Sequence, residues 1–337
     1  LDIIGEIVDL KLFKFKTGTN VLDWTIPKEW NIKDAYIICP DGNKIANFKV
    51  NNLHVVNYSI PINKTMGLQE LKKNIHTLPK QPNAIPYITS YYKKNWGFCI
   101  EYSKYKKLKP GKYQVVINTT LKKGELIYSD TKIPGKSKKE ILLSTYLCHP
   151  QMANHELSGP LVWSMLYRIL KNTGPHNYTY RFLICPENIG SAAFLHKNKN
   201  NVKNIIAGYV INCVGYGNEF NYKKSRNGNT IADRAALNVL KNSNFKFNIL
   251  NFEPWGSDEK QFCSPGFNLP IGLIMRKTYG GFKEYHTSLD NEKLINFNTI
   301  IQSIKIYYDV LLSIENNFTP LGKIQYGTPQ LSKSPIK

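Results

Sequence analysis

What restricts the fold of this chain most is a change of texture near residue 138. From there on, near-continuous apolar segments alternate with stretches of helical spacing. "EILLSTYLC" is followed by "SGPLVWSMLYRILKN", in which Leu161, Val162, Met165, Leu166, Ile169 and Leu170 recur at helical intervals. "YTYRFLIC", "NIIAGYVINCV" and "LPIGLIM" read as three further strands, and "NTIADRAALNVLKN" and "NTIIQSIKIYYDVLLSIEN" as helices. A strand without a polar face has to be covered on both sides. The pattern therefore predicts an α/β domain whose central sheet is mostly parallel and flanked by helices, over residues 132–318.

The preceding stretch is different. Residues 21–131 read as short strands broken by turns, such as "DAYIICPDGNKI" and "GKYQVVINTTL", with one helix-like interruption, "TMGLQELKKNIHTL". This mainly-β unit is rich in aromatics expected at the surface: Trp24, Trp30, Tyr87, Tyr91, Tyr92 and Trp96. Residues 319–337, rich in Pro, Gly and Lys, read as a linker or disordered tail.

A net charge of +21 raises the question of nucleic acid. Only five of the 45 basic residues are arginine, the better reader of bases and phosphates, and no basic helix or RNA-binding motif is present. Specific nucleic-acid binding is not expected. The six cysteines are scattered without a C-x-x-C pair, which points to free thiols in a reducing compartment. No signal peptide and no apolar run of membrane-spanning length is visible, so a cytoplasmic location without a membrane span is expected, and a homo-oligomer is compatible with the sequence. The abrupt start, "LDIIGEIVDLKLFKF", suggests that residues precede it.

In open α/β sheets ligands bind beyond the carboxyl ends of the strands. Those ends carry His149, Asn154, His155 and Glu156 after the first strand and Glu187 and Asn188 after the second. Asn212 ends the third, and Glu284, Tyr285, His286 and Asp290 follow the fourth. Three of the seven histidines thus converge on one sheet edge. Each residue also has a plain structural reading: a solvated loop histidine, a helix cap at Glu187, a capping turn in "EYHTSLDN". Asp258, in "GSDEKQF", is open between capping and substrate contact. His54, His76, His176 and His196 are assigned structural or surface roles.

The order His, S-G, Glu, then Y-H-T-x-x-D resembles the zinc aminopeptidases with a phosphorylase/hydrolase-like fold and two co-catalytic metals. More closely, "DWTIPKEWNIKDAYI", "IPYITSYYKKNWGFC", "STYLCHPQMANHELSGP", "PENIGS", "GSDEKQFCSPGFNLP" and "EYHTSLDN" resemble the aminopeptidase-like DUF4910 family, interrupted by a smaller β domain, DUF2172. On that resemblance, residues 1–20 begin the aminopeptidase-like domain and 21–131 are an insertion. Longer relatives add a C-terminal winged-helix domain, which would begin where this chain stops.

The resemblance implies that His149 and His286 bind metal, that Ser158 and Gly159 open a helix behind it, that Glu187 is the general base and that Asp290 supports His286. It departs at three positions. His155 stands where a bridging aspartate is usual, Asn188 replaces a second glutamate and Asn212 a later aspartate. Two cations need bridging carboxylates, so one zinc ion on His149, His155 and His286 is expected instead. Asn154, Asn188, Asn212, Asp258, Glu284, Tyr285 and Asp290 are placed behind the ligands or against substrate. The implied activity is hydrolysis of an amide in a small peptide or an acylated sugar, with surface-polysaccharide biosynthesis as a setting. Tyr91, Tyr92 and Trp96 are expected to wall the pocket. The alternative is an inactive member of the fold that binds a peptide or glycan.

Overall fold

The computed structural model describes residues 1–318 together with 322, 326–328, 330 and 332, so the expected tail falls largely outside the described residues. An eight-stranded sheet forms the centre. Its order is Leu12–Lys16, Glu125–Ile133, Thr179–Cys185, Glu140–Tyr146, Ile205–Ile211, Ile271–Met275, Glu219–Lys223 and Lys246–Leu250. The four middle strands run parallel. Antiparallel pairings flank them on both sides, so the sheet is mixed overall.

The apolar runs are explained by cover on both faces. Ile141 and Leu143 point into one cluster with Val162, Trp163 and Leu166 of the helix Ser158–Thr173 and with the helices Ile231–Lys241 and Phe297–Glu315. Leu142, between them, points into a second cluster with Ala193, Phe194 and Phe262. Each such side chain contributes about 1.5–3 kcal/mol by burial. Local signals fix the helix starts: Thr230 and Asp233 form a reciprocal cap, and Asn296 accepts from the Asn298 N–H. Gly159 lets the Ser158–Thr173 helix start against the sheet, since a Cβ there would lie 2.3 Å from the Ile211 carbonyl oxygen.

The chain leaves this sheet after Lys16 and re-enters it at Glu125. Between these points it builds a four-stranded antiparallel sheet ordered Lys44–Ile45, Glu29–Ile38, Lys112–Lys122 and Ile62–Gly67. The expected limit of the β insertion at residue 131 falls inside a main-sheet strand, because Ser129 to Ile133 pair with Ile184 to Tyr180. Alternating apolar residues show that this stretch is a strand but not which sheet it joins. Buried Arg181 anchors it: Nε meets Asp130 Oδ1 at 2.7 Å and Nη1 meets Glu140 Oε2 at 2.9 Å.

"TMGLQELKKNIHTL" is helical only over Leu68–Lys72. Strand pairing takes Thr65 to Gly67 on one side and Ile75–His76 on the other. The strands Glu219–Lys223 and Lys246–Leu250 and the helix Ile189–Asn198 were not foreseen. All six cysteines are free. Among the described residues no helix is long and apolar enough to cross a membrane.

The insertion touches the loop that carries His286. Ile85 and Ser288 exchange hydrogen bonds, and the Tyr87 N–H donates to the His286 carbonyl at 2.8 Å. This contact turns the aromatic half of the insertion toward the carboxyl ends of the main strands.

Candidate metal centre

After the strand Glu140–Tyr146 the chain bends through Cys148, His149 and Pro150. It then makes one π-helical turn, Ala153–Leu157, before the helix Ser158–Thr173. Such turns are uncommon and recur at functional sites because they re-aim side chains. Asn154, His155 and Glu156 are all buried here. The buried Asp290 carboxylate holds the turn by accepting three successive N–H groups, from Ala153 (3.2 Å), Asn154 (2.6 Å) and His155 (2.9 Å). Asn154 Oδ1 accepts from the Gly215 N–H at 2.9 Å and ties the turn to the loop after Ile205–Ile211.

Three imidazoles meet beside this turn. Ring centroids lie 4.5 Å apart for His149 and His155, 4.8 Å for His155 and His286, and 5.4 Å for His149 and His286. One ligand-type nitrogen from each lies within 4.8 Å of the others. His286 sits at a positive φ of 55°, with the Tyr285 ring stacked on it at 4.0 Å and set edge-on to His155 at 4.7 Å.

Neighbours determine which nitrogen is free on His149 and on His155. His149 Nδ1 bonds Glu156 Oε2 at 2.8 Å, leaving Nε2 for the centre. Glu156 also accepts the Cys148 N–H. The Tyr146 hydroxyl donates to the His155 carbonyl at 3.0 Å and lies 3.1 Å from His155 Nε2. Its single proton is used on the carbonyl, so its lone pair takes the Nε2–H and Nδ1 carries the ring's lone pair. That Nδ1 and the Nε2 of His286 are buried and have no hydrogen-bond partner. Buried polar atoms are rarely left without one. A cation among the three rings would give both atoms a partner. The donor set fits one divalent ion that prefers nitrogen. The other candidate cluster, Cys148, His149 and Glu156, satisfies itself: Glu156 is already occupied by the His149 ring and the Cys148 N–H.

The electrostatics agree. Burial, with the charge of His149, pushes the His286 imidazole down to about 4. Burial and both neighbouring imidazoles push His155 well below its ordinary value, so both rings are neutral near pH 7, the form in which an imidazole can hold a metal. At His149 burial also acts downward, but the hydrogen bond and charge of Glu156 outweigh it and hold the ring above its ordinary value. A carboxylate behind a liganding histidine is a common second partner.

Glu187 Oε2 lies 3.8 Å from His149 Nε2. Burial raises its carboxyl above the usual range, against the pull of His149. Behind it Asn188, at φ 63°, starts the helix Ile189–Asn198. Its N–H donates to Asp258 Oδ1 at 2.7 Å, and Asp258 also accepts from Ser191 Oγ at 2.7 Å. Burial, with the charge of Glu187, raises Asp258 to about 7. Asp258 thus fixes the backbone beside Glu187.

A cavity of about 910 Å³ opens over this centre. His149, Glu187, Asn188, Glu156 and His286 line its floor; Trp24, Trp30, Tyr58, Tyr87, Tyr91 and Tyr92 form its aromatic side. Tyr87, expected at the surface, is buried edge-on to His149 and His286. Trp96 packs into the core of the insertion instead of the cavity wall.

Of the residues chosen from sequence, His149, His155, His286, Glu187, Asn188 and Tyr285 come together. Asp290 and Asn154 act through the backbone of the π turn, and Asp290 makes no hydrogen bond to the His286 ring. Glu284 lies outside the cavity lining and accepts from Thr287 through its carbonyl. Asn212 is buried with both amide atoms unpartnered, also outside that lining. Sequence reasoning missed Tyr146, Cys148 and Tyr87 as site residues, and placed Glu156 at the right strand end without giving it a role.

Comparison with known proteins follows this geometry. The family described as Domain of unknown function (DUF4910) matches residues 1–317. A Clostridium acetobutylicum protein, provisionally named for polysaccharide biosynthesis and an aminopeptidase-like domain, is 45% identical over 336 residues, 100% of this chain and 77% of its own length. A crystal structure of a provisionally named peptidase from Clostridium acetobutylicum superposes with a TM-score of 0.94 at 45% identity, covering 98% of this chain and 78% of that one. The Bacillus subtilis zinc aminopeptidase BSAP shares the fold, with a TM-score of 0.65 at 13% identity over 92% of this chain and 86% of its own.

Proposed function

The chain belongs to the DUF4910 family, and from that premise we propose that it is a hydrolase of amide bonds that works with one zinc ion. His149, His155 and His286 would hold the ion. The observation that carries this reading is the pair of buried, unpartnered nitrogens, His155 Nδ1 and His286 Nε2, facing His149 beside Glu187. Zinc held there would supply Lewis acidity, which activates water and polarises a carbonyl.

The chain's own residues do the rest. Glu187 takes a proton from the attacking water and returns it to the nitrogen of the leaving amine. Its raised affinity for protons, a result of burial, suits both transfers. Glu156 keeps the Nδ1 of His149 occupied and so holds that ring in one tautomer, and Tyr146 does the same for His155. The aromatic half of the cavity holds the body of a small peptide or acylated sugar and keeps water from the scissile bond.

The test is Glu187→Gln. We expect zinc content equal to wild type and a loss of at least about a hundredfold in kcat, in line with removing a general base. A variant that keeps wild-type activity would contradict the role of Glu187. Stoichiometric zinc without turnover of any amide in the wild type would favour the non-catalytic binding module.

A further inference from the structure

We infer that the substrate carries a neutral N-acyl group, with no ammonium next to the scissile carbonyl, so that the enzyme removes acyl groups from amines and does not trim free amino termini. This rests on the hydrolase reading above and comes from an inventory of carboxylates. An α-ammonium lies two bonds from the carbonyl carbon that is attacked. It needs an anion of its own in the shell occupied by Glu187.

Among the described residues that shell holds none to spare. Glu156 is taken on one oxygen by His149 and on the other by the Cys148 N–H. Both oxygens of Asp290 are taken by the π-turn N–H groups. Asp258 lies outside the cavity lining and is held by Asn188 and Ser191. Glu259 also lies outside it and pairs with Lys223 at 2.9 Å. The other acids on the cavity wall, Glu29 and Glu125, are exposed to water, and Glu125 pairs with Lys14 at 2.9 Å. That leaves Glu187, and a carboxylate that must accept a proton cannot also hold an ammonium.

Two further features point the same way. A centre built from three imidazoles contributes no carboxylate, so the charge of a divalent ion held there would stay in place to repel a second cation nearby. Beside Glu187, in the cavity lining, the Asn188 side-chain oxygen is buried and has no donor. It is a neutral acceptor, matched to the single N–H of a secondary amide. The reaction balances as amide plus water giving a carboxylate and an amine. The C–N bond breaks, a C–O bond forms, and one water proton passes through Glu187 to the nitrogen.

The neutral acyl amide could reside on an amino sugar or on an amino acid, and two matched pairs separate these sources. N-acetylglucosamine is compared with N-glycylglucosamine, and N-acetylleucine with glycylleucine. Within each pair the members differ only by the ammonium. With zinc-loaded protein we expect the acetyl member of at least one pair to be preferred by about tenfold or more in kcat/KM, and to raise the unfolding temperature at lower concentration. The preferred pair identifies the source. Equal or better use of a glycyl member overturns the inference, as does failure of both acetyl members to bind.

Asn188→Asp supplies the missing anion and should cut the preference at least about tenfold, whereas Asn188→Gly, which also tolerates φ 63°, should not raise use of the glycyl member. An Asp variant with an unchanged preference contradicts the inventory. Failure of the hydrolase reading shows itself separately, as binding of an acetyl member without turnover.

Discussion

Replacing Tyr146 with phenylalanine removes one oxygen atom from a fully buried position, and the cost can be worked from two contacts. The hydroxyl donates to the His155 carbonyl at 3.0 Å and receives the Nε2–H of the same residue at 3.1 Å. In the variant the Nε2–H has no acceptor, and an unsatisfied buried polar group costs about 1–3 kcal/mol. The carbonyl loses a donor, worth about 1 kcal/mol net. Because the ring keeps its place and the buried hydroxyl is gone, part of this is offset, and about 2–3 kcal/mol remains. For 337 residues that corresponds to a fall of roughly 3–4 °C in Tm. Freed from Tyr146, His155 can place its proton on Nδ1, in competition with a cation. Zinc affinity should therefore fall about 10- to 100-fold, the usual effect of losing a partner behind a ligand. Thermal unfolding of the metal-free protein and a competitive zinc titration read the two effects separately. A variant that unfolds with wild type and binds zinc as tightly would refute the tautomer assigned to His155.

Glu156→Gln should weaken zinc about 10- to 100-fold by the same reasoning at His149, measured against a chelator of known affinity. Acid should remove the contribution of two of the three imidazoles in the metal-free protein. The folded-state values of His155 and His286 lie below the ordinary histidine value of about 6.5, so the unfolded chain binds more protons as pH falls through it. The stability these two rings confer is present above about pH 6.5 and is lost on acidification, for His286 down to about 4. His149 acts in the opposite sense: its folded-state value is raised, so it stabilises at low pH and loses that contribution as pH rises. The raised carboxyls of Glu187 and Asp258 act in that opposite sense too, so the test is a difference: with a chelator present, the change in Tm between pH 7 and 5 should be less unfavourable in His286→Gln than in wild type. An equal change in both proteins would contradict the neutral state assigned to that ring.

Much of the fold was legible because the physics was local. Glu140–Tyr146, Thr179–Cys185 and Ile205–Ile211 announce themselves as unbroken apolar runs, since both of their faces are covered. Glu219–Lys223 and the edge strand Lys246–Leu250 mix Asn and Lys with apolar residues and give no such signal. In the same way, His149, Glu187 and His286 could be placed at strand ends, where the topology brings distant loops together.

What escaped depends on three-dimensional partners. Tyr146 reads as one more apolar strand residue, and only the π turn brings His155 back over its hydroxyl. Tyr87 reaches the centre because the insertion docks on the loop of His286, a contact between residues some 200 positions apart. Asp290 invited assignment to His286, four positions away, yet its carboxylate serves the turn more than a hundred positions earlier.

The most direct test of the account is the metal content of protein prepared without added metal and then titrated with zinc, for wild type and for His149→Ala, His155→Ala and His286→Ala. The account predicts one tightly held zinc per chain in wild type and loss of tight binding in each variant. Two ions per chain, no zinc in wild type, or unchanged binding when His155 is removed would contradict it.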